Sequence, residues 1–253
     1  MARPFLLVQL TDSHLGADWG FEDPEAGLRR AVEEVGRLPD GADAVVVTGD
    51  LTDAGTAAQY ERVSAVLDTL GLPVHVLPGN HDRRQPMRAH FGLPGDGDEP
   101  IQYAVDLGGV RLLALDTTRP GHDAGALDEG RLEWLADALA AAPRQPTLIA
   151  MHHPPMATRI AAWDALGLPE ADRRSLAGLV EQHPQVLAMC AGHVHQAMTA
   201  KVADRPAMTI PSTYVQARLN YGVDRIELAP GPVAFAVHAV DGAGLVSHLR
   251  PVR

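Results

Sequence analysis

Residues 44–53 read Ala-Val-Val-Val-Thr-Gly-Asp-Leu-Thr-Asp, and this stretch decides the fold. Ala44 to Val47 form a short unbroken apolar run rich in β-branched side chains, the pattern of a strand buried on both faces. The run ends in Gly49 and Asp50. Glycine permits a tight turn and a close backbone approach, so a carboxylate emerges at the end of a buried strand, where α/β proteins build their pockets.

The same arrangement recurs on either side. Phe5 to Leu10 reads as a strand and leads to Asp12 and His14, whose one-residue separation sends both side chains the same way if the chain is still extended. Val74 to Leu77 leads to Pro78-Gly79-Asn80-His81-Asp82. Thr147 to Met151 leads to His152-His153-Pro154-Pro155, and Val186 to Ala191 leads to Gly192-His193-Val194-His195. One such cluster could be a loop Asp capping a turn beside a solvated His. Five clusters, each after a strand and four of them with His, exceed what turn chemistry explains.

Helix-spaced segments lie between the strands. Pro24 to Leu38, Thr56 to Leu70, Asp128 to Ala142 and Glu170 to Gln182 are expected helices, and in the second Tyr60, Val63, Val66, Leu67 and Leu70 share a face before Gly71 and Pro73 stop it. After Pro100, Ile101 to Asp106 and Val110 to Leu115 read as a hairpin about Gly108-Gly109, a pair suited to positive φ. Further strands are expected at Ala197–Val202, Ala207–Ile210, Val223–Leu228, Val233–Val240 and Leu245–Leu249, with turns at Asp204-Arg205 and Asp241-Gly242. No repeat or linker divides the chain. The expectation is one α/β domain over residues 1–253, with two mixed sheets face to face and helices outside.

Composition narrows the partners. The formal charge of -11 and a single lysine, Lys201, argue against binding duplex nucleic acid. Bound divalent cations would reverse that sign locally, so a small phosphate substrate stays admissible. No apolar run is long enough to cross a bilayer, and the N-terminal apolar stretch lacks a cleavage site. The single Cys190 excludes an intramolecular disulfide, so a reducing cytoplasm is the expected setting.

Asp12, His14, Asp50, Asn80, His152, His193 and His195 make a mixed nitrogen and oxygen donor set without thiolate, which suits Fe, Mn, Zn or Co better than Ca. Seven donors are too many for one catalytic ion but suit two transition-metal ions if Asp50 bridges them. Two ions roughly 3.5 to 4 Å apart can hold a hydroxide at neutral pH and offset charge on a phosphoryl oxygen during in-line attack. No G-x-S-x-G occurs, consistent with a metal-bound hydroxide as nucleophile.

The series DSH, GDLTD, GNHD, HH and GHVH, spanning Asp12 to His195, resembles that of the calcineurin-like metallophosphoesterases. The resemblance implies a four-layer α/β/β/α sandwich of two mixed β-sheets flanked by helices. It also implies that Asp12, His14, Asp50 and His195 hold one metal, and Asp50, Asn80, His152 and His193 the other. His81 would then face the substrate as a catalytic residue, stabilising the transition state or protonating the leaving oxygen. His153 would lie behind the ligands, and Asp53 and Asp82 would orient ligands or cap turns. His75, His90, His183, His238 and His248 are assigned to surfaces or packing, while His122 is a candidate for the pocket mouth.

Departures from the family pattern narrow the substrate. Protein phosphatases of this kind carry an Arg after the second Asp of the GD motif and a GNHE motif, whereas here Ala54 and Asp82 stand at those places. The layout is similar to bacterial class III cyclic nucleotide phosphodiesterases and glycerophosphodiesterases, which implies a small phosphodiester substrate such as 3′,5′-cyclic AMP, a glycerophosphodiester or an aryl diester. Trp19, Phe21, Trp163, Tyr214 and Tyr221 are candidates for stacking on a base. A phosphomonoesterase or nuclease of the same superfamily is the alternative, and a non-enzymatic scaffold the remoter one. Relatives form dimers or larger assemblies, but no segment here announces an interface.

Overall fold

The computed structural model describes residues 3–252. The chain begins with β1 (Phe5–Leu10), α1 (Pro24–Gly36), β2 (Ala44–Thr48), α2 (Ala57–Leu67), β3 (Val74–Leu77) and α3 (Arg84–Phe91). Its middle holds β4 (Tyr103–Asp106), β5 (Arg111–Leu115), α4 (Glu129–Ala141), β6 (Thr147–Met151), α5 (Ala161–Leu166), α6 (Glu170–Glu181) and β7 (Val186–Ala191). It ends with β8 (Met198–Val202), β9 (Arg205–Thr209), β10 (Gln216–Ala217), β11 (Leu228–Ala229), β12 (Ala234–Asp241) and β13 (Gly244–Pro251).

Local chemistry sets the helix ends. The Asp23 carboxylate accepts the Glu25 amide at the start of α1, with Pro24 in the first helical position. Thr56 and Gln59 form a reciprocal capping box on α2. Gly71, at φ 61°, ends the 3-10 turn that prolongs α2.

One sheet has the order β13-β12-β1-β2-β3, with β1, β2 and β3 parallel and β12 and β13 antiparallel. The other has the order β4-β5-β6-β7-β9-β8, parallel from β5 to β9 and antiparallel at β4 and β8. Strand β2 shows why both faces needed apolar side chains. Val45 and Val47 pack with Val32 of α1 and Tyr60 and Val63 of α2. Ala44 and Val46 turn the other way and meet Leu112, Ala114, Leu148 and Ala150 of the second sheet. That sheet's far face packs Leu113, Ile149 and Met151 against Leu135, Leu139 and Leu176 of α4 and α6. The layers are therefore helix, sheet, sheet, helix, the sandwich expected from the sequence.

A polar tie crosses the apolar layer between the sheets. The Gln9 amide donates to the Ala191 carbonyl of β7 at 2.9 Å and meets the Thr48 hydroxyl at 3.0 Å. Its oxygen lies 3.1 Å from His238 Nε2, while His238 Nδ1 lies 2.8 Å from the Ser247 hydroxyl. Burial lowers the His238 pKa to about 4, so the ring is neutral. With every partner supplied, such a network fixes how one sheet sits on the other.

Several sequence expectations shift. The strand expected over Val223–Leu228 reduces to β11, which pairs with β10; Ile226 and Leu228 instead pack against the cluster of Ile160, Trp163 and Val194. The turn expected at Asp204-Arg205 sits one residue earlier, with left-handed φ at Ala203 and Asp204. Of the Gly108-Gly109 pair only Gly108 has positive φ. Helices α3 and α5 carry no amphipathic signal long enough to read.

Candidate metal centre

Strands β1, β2 and β3 of one sheet and β6 and β7 of the other all release their chains at the same end of the sandwich, and the five clusters meet along the seam. The backbone there is unusual. Asp12, His14, Asp50, His193 and His195 have φ of 53°, 43°, 49°, 71° and 49°, and among the described residues only Arg159, Ala203 and Asp204 are other non-glycine residues with positive φ. Such conformations cost roughly 1–3 kcal/mol each and persist only where surrounding bonds enforce them. Here the Asp12 amide donates to the Gly49 carbonyl at 3.0 Å and the His14 amide to the Asp50 carbonyl at 2.9 Å. Asp12 and His14 therefore converge through two left-handed residues flanking Ser13, and not through the pleat of an extended strand as their spacing suggested.

The structure brings all seven sequence-derived candidates together. The Thr48 carbonyl accepts the His152 Nδ1 proton at 2.9 Å, and the Val215 carbonyl accepts that of His195 at 2.8 Å, which leaves both Nε2 lone pairs aimed inward. His195 Nε2 lies 3.1 Å from His14 Nε2 and 3.5 Å from Asp12 Oδ1. His152 Nε2 lies 3.0 Å from Asn80 Oδ1, which is itself 3.1 Å from His193 Nδ1. Asp50 Oδ2 stands between the two groups, 3.5 Å from His14 Nε2 and 3.4 Å from His152 Nε2.

Electron-rich atoms thus face electron-rich atoms in a buried space, an arrangement that repels itself unless a cation lies among them. At His152 a proton on Nε2 can take the cation's place. Burial works against charge on His152, yet the Asp50 carboxylate holds its pKa up to about 9, whereas burial carries His14 down to about 3. Asp50, though buried, stays well below the usual carboxylate range beside His152 and His14. The donor set fits metal ions in its chemistry, with Asp50 common to two subsets.

The neighbouring residues divide by their partners. The His81 amide donates to Asp50 Oδ1 at 2.9 Å, and its Nδ1 lies 3.2 Å from the Asp53 carbonyl and 3.4 Å from the Asp53 carboxylate. Burial opposes charge on this half-buried ring, but Asp50 and Asp53 raise its pKa above the ordinary value. His153 has no free ring nitrogen: Nδ1 is 2.8 Å from the Thr117 hydroxyl and Nε2 is 2.9 Å from the Asp123 carbonyl. Burial pushes its pKa down to about 3, so it is a neutral tether. Asp82 accepts the amides of Leu51, Thr52 and Gly79 and the hydroxyls of Thr52 and Tyr60, binding the second and third motifs into one unit.

A cleft of about 160 Å³ lies over the cluster, walled in part by Trp19, Trp163, Ile226 and Leu228. Trp19 lies 4.5 Å from the His14 ring and Trp163 lies 5.4 Å from that of His193. Phe21 and Tyr214 pack on each other, and Tyr221 is 69% exposed. His122 is exposed and lines neither this cleft nor the recess beside it, whereas its neighbour Asp123 lines both. Asp123 and the β10–β11 hairpin were not singled out as site elements in the sequence, because neither carries a motif and both reach the cleft only through the fold.

A two-sheet sandwich of this layering, with a buried cluster of carboxylates and imidazoles at its seam, has the form of a metal-dependent hydrolase. The model of the calcineurin-like phosphoesterase family matches residues 5–197, and the chain belongs to that family. It is 30% identical to the glycerophosphodiester phosphodiesterase GpdQ of Enterobacter lignolyticus over 96% of this chain and 90% of that protein. It is 32% identical to the 3′,5′-cyclic adenosine monophosphate phosphodiesterase CpdA of Pseudomonas aeruginosa over 89% of this chain and 83% of that one. A dimetal phosphatase from Danio rerio shares the fold, with a TM-score of 0.72 at 18% identity and complete coverage of both chains. No helix among the described residues is long and apolar enough to cross a membrane.

Proposed function

We propose that the protein is a single-domain, binuclear-metal phosphodiesterase acting on small diesters, 3′,5′-cyclic nucleotides or glycerophosphodiesters. The observation that carries this reading is the inward-facing array of lone pairs divided into two subsets by Asp50. Asp12, His14, Asp50 and His195 would hold one transition-metal ion, and Asp50, Asn80, His152 and His193 the other, drawn from Fe, Mn, Zn and Co. When bound, such ions lower the pKa of water and offset charge on phosphoryl oxygens. In the net reaction the oxygen of water bonds to phosphorus, the bond from phosphorus to the departing alcohol breaks, and the alcohol oxygen takes a proton. His81 would give that proton. The Asp53 carbonyl accepts from its Nδ1, and the raised pKa keeps the ring protonated to higher pH, with Nε2 left to donate.

Diester preference is supported by the relatives' activities and by Ala54, which supplies no guanidinium where a clamp for a phosphate dianion would stand. We place the protein in the cytoplasm with its one thiol reduced, and we assign it no duplex nucleic acid partner because of its charge of -11. The deciding experiment loads the protein with manganese or cobalt and compares rates on cyclic AMP, glycerophosphoethanolamine, an aryl diester and an aryl monoester. Diesters are expected to be turned over faster, with two metal ions per chain by elemental analysis. A monoester preference, or full activity with one ion or none, overturns the reading.

A pair of substitutions separates the roles. Asn80→Ala should lower the metal content toward one ion per chain. His81→Ala should retain both ions while turnover falls by about 10²-fold or more. Equal metal loss in the two variants would make His81 a structural residue.

A further inference from the structure

The segment from Ser212 to Ala217 follows β9 and ends with β10, carries no motif, and lies directly behind the metal centre. Ser212 and Thr213 are fully buried. The Ser212 hydroxyl accepts the Tyr214 amide at 2.8 Å, which commits its own proton to the Asp12 carbonyl at 2.7 Å. The Thr213 amide donates to the Thr11 carbonyl at 3.1 Å. Further along, the Val215 carbonyl takes the His195 Nδ1 proton at 2.8 Å, and the Ala217 amide donates to the His195 carbonyl at 3.2 Å. The segment thus grips Asp12 and His195, and both stand at left-handed φ, a conformation that persists only where the surroundings enforce it.

The segment is itself braced. The Gln216 side chain closes it into a loop, donating to the Ser212 carbonyl at 2.8 Å and accepting the Ser212 amide at 3.2 Å. Helix α1 presses on it from outside, where a Cβ on Gly27 would lie 2.1 Å from the Thr213 carbonyl oxygen. Tyr214 packs 5.4 Å from Trp19, which lies 4.5 Å from the His14 ring. Asp12, His14 and His195 therefore all rest on this segment. Among the described residues none of its hydrogen bonds reaches Asn80, His152 or His193. His152 is held by the Thr48 carbonyl instead, and the His193 amide donates to the Asp12 carboxylate at 3.0 Å, so the second donor group feels the segment only through Asp12.

We propose that residues 212–217 are a positioning element for the ion assigned to Asp12, His14, Asp50 and His195, with the Ser212 hydroxyl as the contact that holds Asp12, so that one ion depends on this segment and the other does not. The inference rests on the two-metal reading above and adds a determinant of one ion's retention that lies outside every motif. Partners that orient metal ligands in this way typically change metal affinity by about 10- to 100-fold when removed.

The test loads the full chain with cobalt and reads the affinity of each ion by competition with a chelator, the visible absorption of cobalt reporting its coordination. Ser212→Ala is expected to weaken one ion about tenfold and to alter its absorption, leaving the other within about twofold of wild type. Two backgrounds identify the ion. Added to Asn80→Ala, the substitution should weaken the ion that remains, whereas added to His195→Ala it should not. Ser247→Ala, which removes a hydroxyl from the tie at His238, should leave both ions at wild-type affinity. If Ser212→Ala does not fold, Gln216→Ala, which frees the loop and keeps the hydroxyl, carries the same expectation. Equal weakening of both ions, or of neither, overturns the positioning role. Selective loss of one ion in a protein that hydrolyses no diester would instead sink the functional reading and leave the role standing. A wild type that takes up one ion would sink the two-metal reading, and the role then stands or falls by whether Ser212→Ala weakens that ion.

Discussion

Asp50→Ala is expected to remove both metal ions and to lower diester turnover by about 10³-fold or more, an effect at or beyond that of losing one catalytic hydrogen-bond donor. The side chain stands between the two donor groups, with Oδ2 3.5 Å from His14 Nε2 and 3.4 Å from His152 Nε2. Its other oxygen accepts the His81 amide at 2.9 Å, so the substitution also releases the turn that presents His81. Asp50→Asn distinguishes the two contributions, since an amide oxygen can keep the His81 bond while the negative charge is lost. Metal content should fall in both variants, and further in the alanine one. Retention of two ions by Asp50→Ala would show that the ions do not share this residue.

Gly79→Ala is expected to cost about 3 kcal/mol or more and to lower the melting temperature by about 10 °C. A Cβ there would lie 2.1 Å from Asp50 Oδ1 and 2.2 Å from the Asp50 backbone nitrogen, distances at which something must move. The carboxylate could rotate away, but the backbone nitrogen could not. The turns after β2 and β3 would have to separate, and Asn80 would leave Asp50. Gly178→Ala in α6 is the contrast, because its Cβ would point into open space and alanine favours the helix. Thermal melts of both variants with and without added metal check this: only Gly79→Ala should melt early and gain little from metal. Equal melting temperatures would mean that the two turns have room the structure does not show.

The strands were legible wherever they are buried on both faces. Phe5–Leu10, Val74–Leu77, Thr147–Met151 and Val186–Ala191 end in the structure where their apolar runs end in the sequence. Helices α3 and α5 were not, since one has 8 residues and the other 6, too few turns for periodicity to emerge from the polar residues between. At the seam the seven side chains named from the sequence lie together, with His81 and His153 beside them, because each cluster follows a strand whose end is a chemical boundary. The sequence misjudged how they converge. Left-handed backbone at Asp12, His14, His193 and His195 leaves little trace in residue type, because Asp and His are enriched in that region yet mostly sit outside it. The recess beside the cleft was unreadable for another reason: its lining comes from separate segments, Arg83 before α3, Asp98 after it, and Arg119 and Asp123 between β5 and α4, and none of them carries a motif.

The seam between the sheets also governs how the molecule comes apart. Asp12, His14, Asp50 and Asn80 extend from one sheet and His152, His193 and His195 from the other, and His14 faces His195 across 181 positions of sequence. A cation gripped by both sheets acts as a reversible staple closing a very long loop, and the entropic cost of closure grows only by about 0.6 kcal/mol for each doubling of loop length. The sheets could not peel apart without first releasing an ion. The lifetime of the folded state would then be set by the rate of metal escape as much as by the apolar layer beneath it.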